Sequence, residues 1–156
     1  MEFVYKKILL AIDGSSNSER ALRKVIELQK NGNSKVVMIH SIKYSKNLLL
    51  PPIGLASGYG SYYISEPEIL EESKRESEKL LFSMQELFKK ENLPVETRVI
   101  LDEHPEDYIK RIVKQEHFDL VVIGTKGIHS KRNQLIIGSI AQKVVKHVVC
   151  DILIIR

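Results

Sequence analysis

The sequence predicts a single α/β domain, in which one parallel five-stranded sheet carries helices on both faces. Two observations predict it. Five short apolar runs alternate with helical patterns along the chain, and strands joined through helices pair in parallel. The chain has 156 residues, 43 % of them hydrophobic, without an internal repeat or a sign of a second domain. That length buries one sizeable core.

Each element has a local reason. Residues 7–12 form the first apolar run, which stops at Asp13-Gly14-Ser15-Ser16. Ser16 and Glu19 stand at capping-box spacing, and Ala21, Leu22, Val25, Ile26 and Leu28 make a helical stripe. Asn31-Gly32-Asn33 stops that helix. Residues 35–42 are the second strand. Residues 43–66 then break the pattern with prolines, glycines and tyrosines. They predict a long, mobile loop serving as a lid or contact surface. Tyr59, Tyr62 and Tyr63 could cover a base there, although loop tyrosines more often pack locally.

Residues 67–92 read as a long helix, with Ile69, Leu70, Leu80, Leu81, Met84, Leu87 and Phe88 toward the core and a polar middle, 71–78, toward solvent. Residues 95–101 are the third strand. Pro105 opens the next helix, with Tyr108, Ile109, Ile112 and Val113 on one face. Residues 119–123 are the fourth strand, Gly138-Ser139 opens the last helix, and residues 152–155 are the fifth strand. An apolar strand at a sheet edge invites pairing with a second chain.

Composition narrows the function. The formal charge of +4 is spread among acidic residues, which argues against a dedicated nucleic-acid interface. A single cysteine, Cys150, allows no internal disulfide and no cysteine-based zinc site, and reads as a small packing residue. No apolar stretch approaches a membrane span, and residues 1–7 lack a signal-peptide shape. A cytoplasmic location is the expectation. His104, His117, His129 and His147 do not stand at metal-ligand spacing, so no metal site is expected. His40 follows an apolar strand and reads as a satisfied buried histidine. No residue is assigned a catalytic role.

The chemistry-bearing segment is Gly124-Thr125-Lys126-Gly127, followed by Gly138-Ser139 at a helix start. A glycine-ended strand beside a Gly-Ser helix start can cradle a phosphate, because glycines allow close approach and helix-start amides favour an anion. If the strands run in the order 3-2-1-4-5, the order reverses between the first and fourth strands, where ligands bind. Asp13-Gly14 and Gly124 would then face one crevice. A carboxylate at a strand end can accept from ribose hydroxyls, and the Ser139 hydroxyl can donate to a phosphate. Plain turns, helix caps at Asp13 and Ser139, and solvated charge at Lys126, Lys131 and Arg132 stand as the alternatives.

The chain resembles the universal stress protein family in its nucleotide-binding branch. The resemblance rests on Lys7-Ile8-Leu9-Leu10-Ala11-Ile12-Asp13-Gly14-Ser15, on Met38-Ile39-His40, on residues 118–127, on Gly138-Ser139-Ile140-Ala141-Gln142-Lys143-Val144-Val145 and on residues 150–156. It implies a Rossmann-like three-layer fold, a role in stress response, and a homodimer paired through the C-terminal strand. It implies ATP or another adenine nucleotide as ligand, with Mg as the accompanying ion, and no nucleic-acid or membrane partner. Carried over residue by residue, it places Asp13 at the ribose or adenine and Ser41 at the adenine edge. Gly124 and Gly127 fall along ribose and phosphates, with the adjoining strand positions Ala11 and Ile123 in the same site. Gly138, Ser139 and Ile140 hold the phosphates. The chain departs from the family pattern twice. Ten residues, not nine, separate Gly127 from Gly138, and Glu103 stands where family members commonly carry a glycine two positions before Pro105.

An ATPase or nucleotidyl transferase is the enzymatic alternative. It lacks support from a G-x-x-x-x-G-K-[ST] loop or a His-x-Gly-His signature, neither of which occurs here. Little or no catalysis is therefore expected. A dimeric interaction module without nucleotide is the third reading, which the retained glycines oppose.

Overall fold

The computed structural model describes residues 4–42, 66–125 and 137–156. Its strands are β1 (Lys7–Ala11), β2 (Lys35–Ser41), β3 (Glu96–Ile100), β4 (Leu120–Gly124) and β5 (Asp151–Ile155). Its helices are α1 (Ser16–Gly32), α2 (Glu66–Lys90), α3 (Pro105–Glu116) and α4 (Ser139–His147). All strand pairs are parallel, and the sheet order is β3-β2-β1-β4-β5. The predicted architecture and order are both found. The long-loop expectation falls on residues 43–65, which lie outside the described residues, as do Lys126, Gly127, His129, Lys131 and Arg132.

The apolar runs are continuous because both faces of the sheet are covered. Alternate residues serve opposite faces. Ile8, Leu10, Met38 and Val122 pack with Leu22 and Val25 of α1 and with Leu81 and Phe88 of α2. Leu9, Ile39, Val121 and Ile123 pack with Ile109 and Ile112 of α3 and with Val144 of α4. Cys150 packs at the edge of this second cluster, where burial pushes its thiol up to about 11.

Three local expectations shift. The cap of α1 is Ser15 rather than Ser16: its hydroxyl accepts from the Ser18 amide at 3.2 Å. The cause lies just upstream, where Asp13 Oδ1 accepts from the Ser15 amide at 3.0 Å and turns the chain one residue early. Glu19 therefore pairs with Arg23 at 2.7 Å instead of completing a capping box. Within the polar stretch of α2, Ser77 is buried rather than solvent-facing, and its hydroxyl lies 2.8 Å from His40 Nδ1. Ile69 and Leu70 are only half-buried. In the turn before α3 the left-handed residue is Asp102, with φ of 56°, three positions before Pro105. The turn thus needs no glycine at Glu103, since an aspartate tolerates this conformation.

A charged cluster ties β1, β3 and α3 together. Arg98 donates to both carboxylate oxygens of Glu116, at 2.5 and 3.0 Å, and its Nε donates to Glu96 at 2.6 Å. Lys7 Nζ donates to the same Glu116 carboxylate at 2.9 Å and lies 4.4 Å from the centre of the Phe118 ring. Hydrogen bonds from Arg98, opposed by burial and assisted by Lys7, hold the Glu116 carboxyl down at about 2. A carboxyl whose folded value lies below its unfolded value stabilises fully above the unfolded value and loses that contribution as pH falls. The window runs from about 4.5 down to about 2. Glu116→Gln is expected to remove about 1–2 kcal/mol of stability at neutral pH, after discounting for partial solvent screening. Denaturant titrations should show the gap to the unmodified protein narrowing across that window. An unchanged gap at all pH values would contradict the assignment.

Candidate functional site

The site forms where the central strands end. In register, Ala11 of β1 stands beside Ile39 of β2 and Ile123 of β4. The chain continues as Ile12, whose amide donates to the Ile39 carbonyl at 3.0 Å, and then as Asp13. On leaving the sheet, β1 feeds α1 on one face, whereas the chain after β4 returns through α4 on the other. The strand order reverses at this point, and that leaves a crevice beyond the carboxyl ends.

Asp13 and the end of β4 are therefore brought to one end of the sheet. Asp13 is half-buried, and its carboxylate accepts the Ser15 amide. Its negative charge also reaches His40. Burial is the larger influence and holds the His40 imidazole below its ordinary value, while Asp13 partly offsets it. A neutral imidazole bonded to Ser77 fits the expected role of a satisfied structural histidine.

Two expected site positions have side chains that belong to the core. Ala11 and Ile123 direct their side chains into the core shared with α3 and α4. Gly124 is a packing glycine: a Cβ there would stand 3.0 Å from Asn17 Cβ, 3.1 Å from the Asn17 carbonyl carbon and 3.2 Å from the Ser18 nitrogen. Its missing side chain lets α1 begin directly against the end of β4. Ser41 ends β2 one strand away from β1, and its hydroxyl points to the Glu103 carbonyl at 3.5 Å.

Helix α4 supplies the anion-favouring element. Gly138 is its N-cap with φ of −62°, so no left-handed conformation is used there. Ser139 is the exposed first residue of the helix, and the glycine at the cap offers no side chain to the opening amides. The first turn carries no acidic residue. The opening amides of a helix have no intrahelical acceptor and lie at its positive end. Ser139 and Ile140 thus stand where a phosphate is favoured.

Sequence reasoning passed over two residues here. Thr125 and Asn17 are joined by a hydrogen bond from Asn17 Nδ2 to Thr125 Oγ1 at 2.9 Å. The available signal was slight: a threonine after a strand-ending glycine, and an asparagine in the first turn of a helix.

Residues 4–156 match the model of the universal stress protein family. The chain is 29 % identical to a putative universal stress protein of Staphylococcus haemolyticus, over 97 % of this chain and 85 % of that protein. Among solved structures, it is similar to the universal stress protein UspA from Lactobacillus plantarum, with a TM-score of 0.78 and 19 % identity over 99 % and 100 % of the two chains. It is also similar to the Archaeoglobus fulgidus universal stress protein in complex with dAMP (TM-score 0.63, 20 % identity, 99 % and 100 % covered). A family protein from Arabidopsis thaliana with AMP bound gives a TM-score of 0.65 at 18 % identity, over 96 % and 90 % of the chains. At such identities the structural likenesses establish the fold.

The packing role of Gly124 has a direct test. Gly124→Ala places a methyl group against the backbone of α1, which cannot swing aside as a flexible side chain would. A loss of about 1–2 kcal/mol is expected, measured by chemical denaturation. A neutral or stabilised variant would show that α1 is free to shift.

Proposed function

The chain belongs to the universal stress protein family, and from that premise we propose that it binds an adenine nucleotide, ATP foremost, as a regulatory protein of the stress response with little or no catalysis. One observation supports this reading: Asp13 follows the end of β1, and the acid-free start of α4 is bonded to Thr125 just past β4, the two strands between which the strand order reverses. Asp13 offers carboxylate acceptors for ribose hydroxyls. The amides opening α4 and the Ser139 hydroxyl offer donors to phosphate oxygens. Gly124, Gly127, Ser41 and the main chain at Ala11, Ile123 and Ile140 complete the proposed site. The adenine nucleotides in the structures from Archaeoglobus fulgidus and Arabidopsis thaliana support the ligand class. ATP would bring Mg with it, and the protein would work in the cytoplasm.

A homodimer belongs to the same proposal. Among the described residues β5 is an edge strand paired only with β4, and its Ile152, Leu153, Ile154 and Ile155 are half-buried. Beside it Val149 is 71 % and Val145 is 49 % exposed. Pairing of β5 across a two-fold axis would bury these side chains and satisfy the open edge.

Titration calorimetry with ATP, AMP and adenosine tests the ligand. ATP should bind more tightly than adenosine, because only ATP engages the helix start. Asp13→Ala should weaken all three ligands by roughly 1–3 kcal/mol, the order of a lost buried hydrogen-bond partner. Gly138→Val should weaken ATP by bulk at the helix start, since Gly138 does not use a positive φ. Absence of ATP binding at millimolar ligand would overturn the reading. Sedimentation velocity at micromolar protein should give a dimer, and a monomer would refute the pairing.

A further inference from the structure

We infer that Thr125 and Asn17 are positioning residues that set the affinity of the site for the phosphate part of its ligand. The inference rests on the nucleotide reading above and concerns residues that reading does not use. Thr125 is 7 % exposed and follows the last residue of β4. Each of its polar groups is engaged with a different element. Its amide donates to the Ile155 carbonyl of β5 at 2.8 Å, and its carbonyl accepts from the Gly138 amide, the N-cap of α4, at 2.6 Å. Its hydroxyl accepts from Asn17 Nδ2 of α1 at 2.9 Å. Asn17 Oδ1 accepts in turn from Arg20 Nη2 of the next turn of α1.

The consequence is geometric. The start of α4 is bonded main chain to main chain to Thr125, the residue that follows β4, across residues 126–136. The length of the intervening chain therefore does not set where the phosphate-facing amides lie. The ten-residue spacing between Gly127 and Gly138 leaves Gly138 held at the end of β4. Thr125 is held in turn by α1 through Asn17, so α1 governs the placement of α4 although the two helices lie on opposite faces of the sheet. Asp13 and Ser41, at the nucleoside part of the proposed site, leave the sheet from β1 and β2; Asp13 reaches α1 at the Ser15 amide, and among the described residues no hydrogen bond joins either of them directly to Thr125, Asn17 or Gly138. A disturbance of Thr125 or Asn17 should thus be felt by phosphates and not by adenosine.

The test is calorimetric titration of ATP and adenosine into the unmodified protein and into Thr125→Val, Thr125→Ser, Asn17→Ala and Arg20→Ala. Thr125→Val and Asn17→Ala should each lower ATP affinity by about tenfold, the order of one lost hydrogen bond with a buried partner, while adenosine changes less than about twofold. Thr125→Ser keeps the hydroxyl and should restore ATP affinity. Arg20→Ala frees Asn17 from the surface without touching a buried group, and should give a smaller loss of the same selectivity. This variant keeps the test open if Thr125→Val does not fold. Equal weakening of ATP and adenosine, failure of Thr125→Ser to rescue, or an unchanged ratio in both Asn17→Ala and Arg20→Ala would overturn the positioning role. Failure of the unmodified protein to bind ATP would overturn the nucleotide reading itself, and this inference with it.

Discussion

Everything in this molecule depends on β1 being bonded along both edges and covered on both faces. Its five residues pair with β2 on one side and four of them, Ile8 to Ala11, with β4 on the other, and Ile8, Leu9 and Leu10 are wholly removed from solvent. A strand in that position has no polar face to offer water, so helices must pack on either side of it. The right-handed crossover rule then fixes the outcome. The chain winds outward through β2 and β3 with one hand of connection, returns to the other side of β1 through β4, and continues to β5. The crevice between the ends of β1 and β4 is the geometric residue of that return.

The polar interactions refine this frame more than they hold it up. Pairs on the helix surfaces, such as Arg23 with Glu19 and Lys24 with Glu27, are exposed and contribute little. The bonds between separate elements are more specific. Lys143 reaches Glu106 at 2.6 Å and ties α4 to α3. Gln29 Nε2 donates to the carbonyls of Ser34 and Pro94 at 3.0 and 2.8 Å, which joins the end of α1 to the starts of β2 and β3. Arg98 and Glu116 do the same between β3 and α3. Each joins elements that the apolar core already brings close, and each chooses one angle among several that the core would tolerate.

The strands and helices were legible in the sequence because the period of the apolar residues is a local property. Leu22, Val25 and Ile26, or Leu120 to Ile123, declare their element without reference to anything distant. The strand order was accessible through the same pattern together with the resemblance. The site was legible less completely. Glycines 124 and 138 announced themselves by type, yet Gly124 serves the approach of α1 and Gly138 is an extended N-cap. A glycine in a sequence does not say which neighbour needs the space. The bond between Asn17 and Thr125 joins residues 108 apart in the chain, and Ser77 meets His40 from 37 residues away. Polar partners at such separations leave no periodicity, so only the assembled fold reveals them. The move of the α1 cap from Ser16 to Ser15 has a different origin. Both are good caps, and the choice was made by the side chain of Asp13, whose hydrogen bond no spacing rule anticipates.

The bond between the Gly138 amide and the Thr125 carbonyl also bears on protein engineering. It holds the two flanks of residues 126–136 as near neighbours. The entropy of closing a loop rises only slowly with its length, so such a junction is a natural place to splice in foreign sequence. A reporter domain whose own termini lie close together would fit between these flanks without prising β4 from α4. Strain in the guest would reach the start of α4 first, which makes the junction a point at which an optical readout could be coupled to occupancy of the crevice.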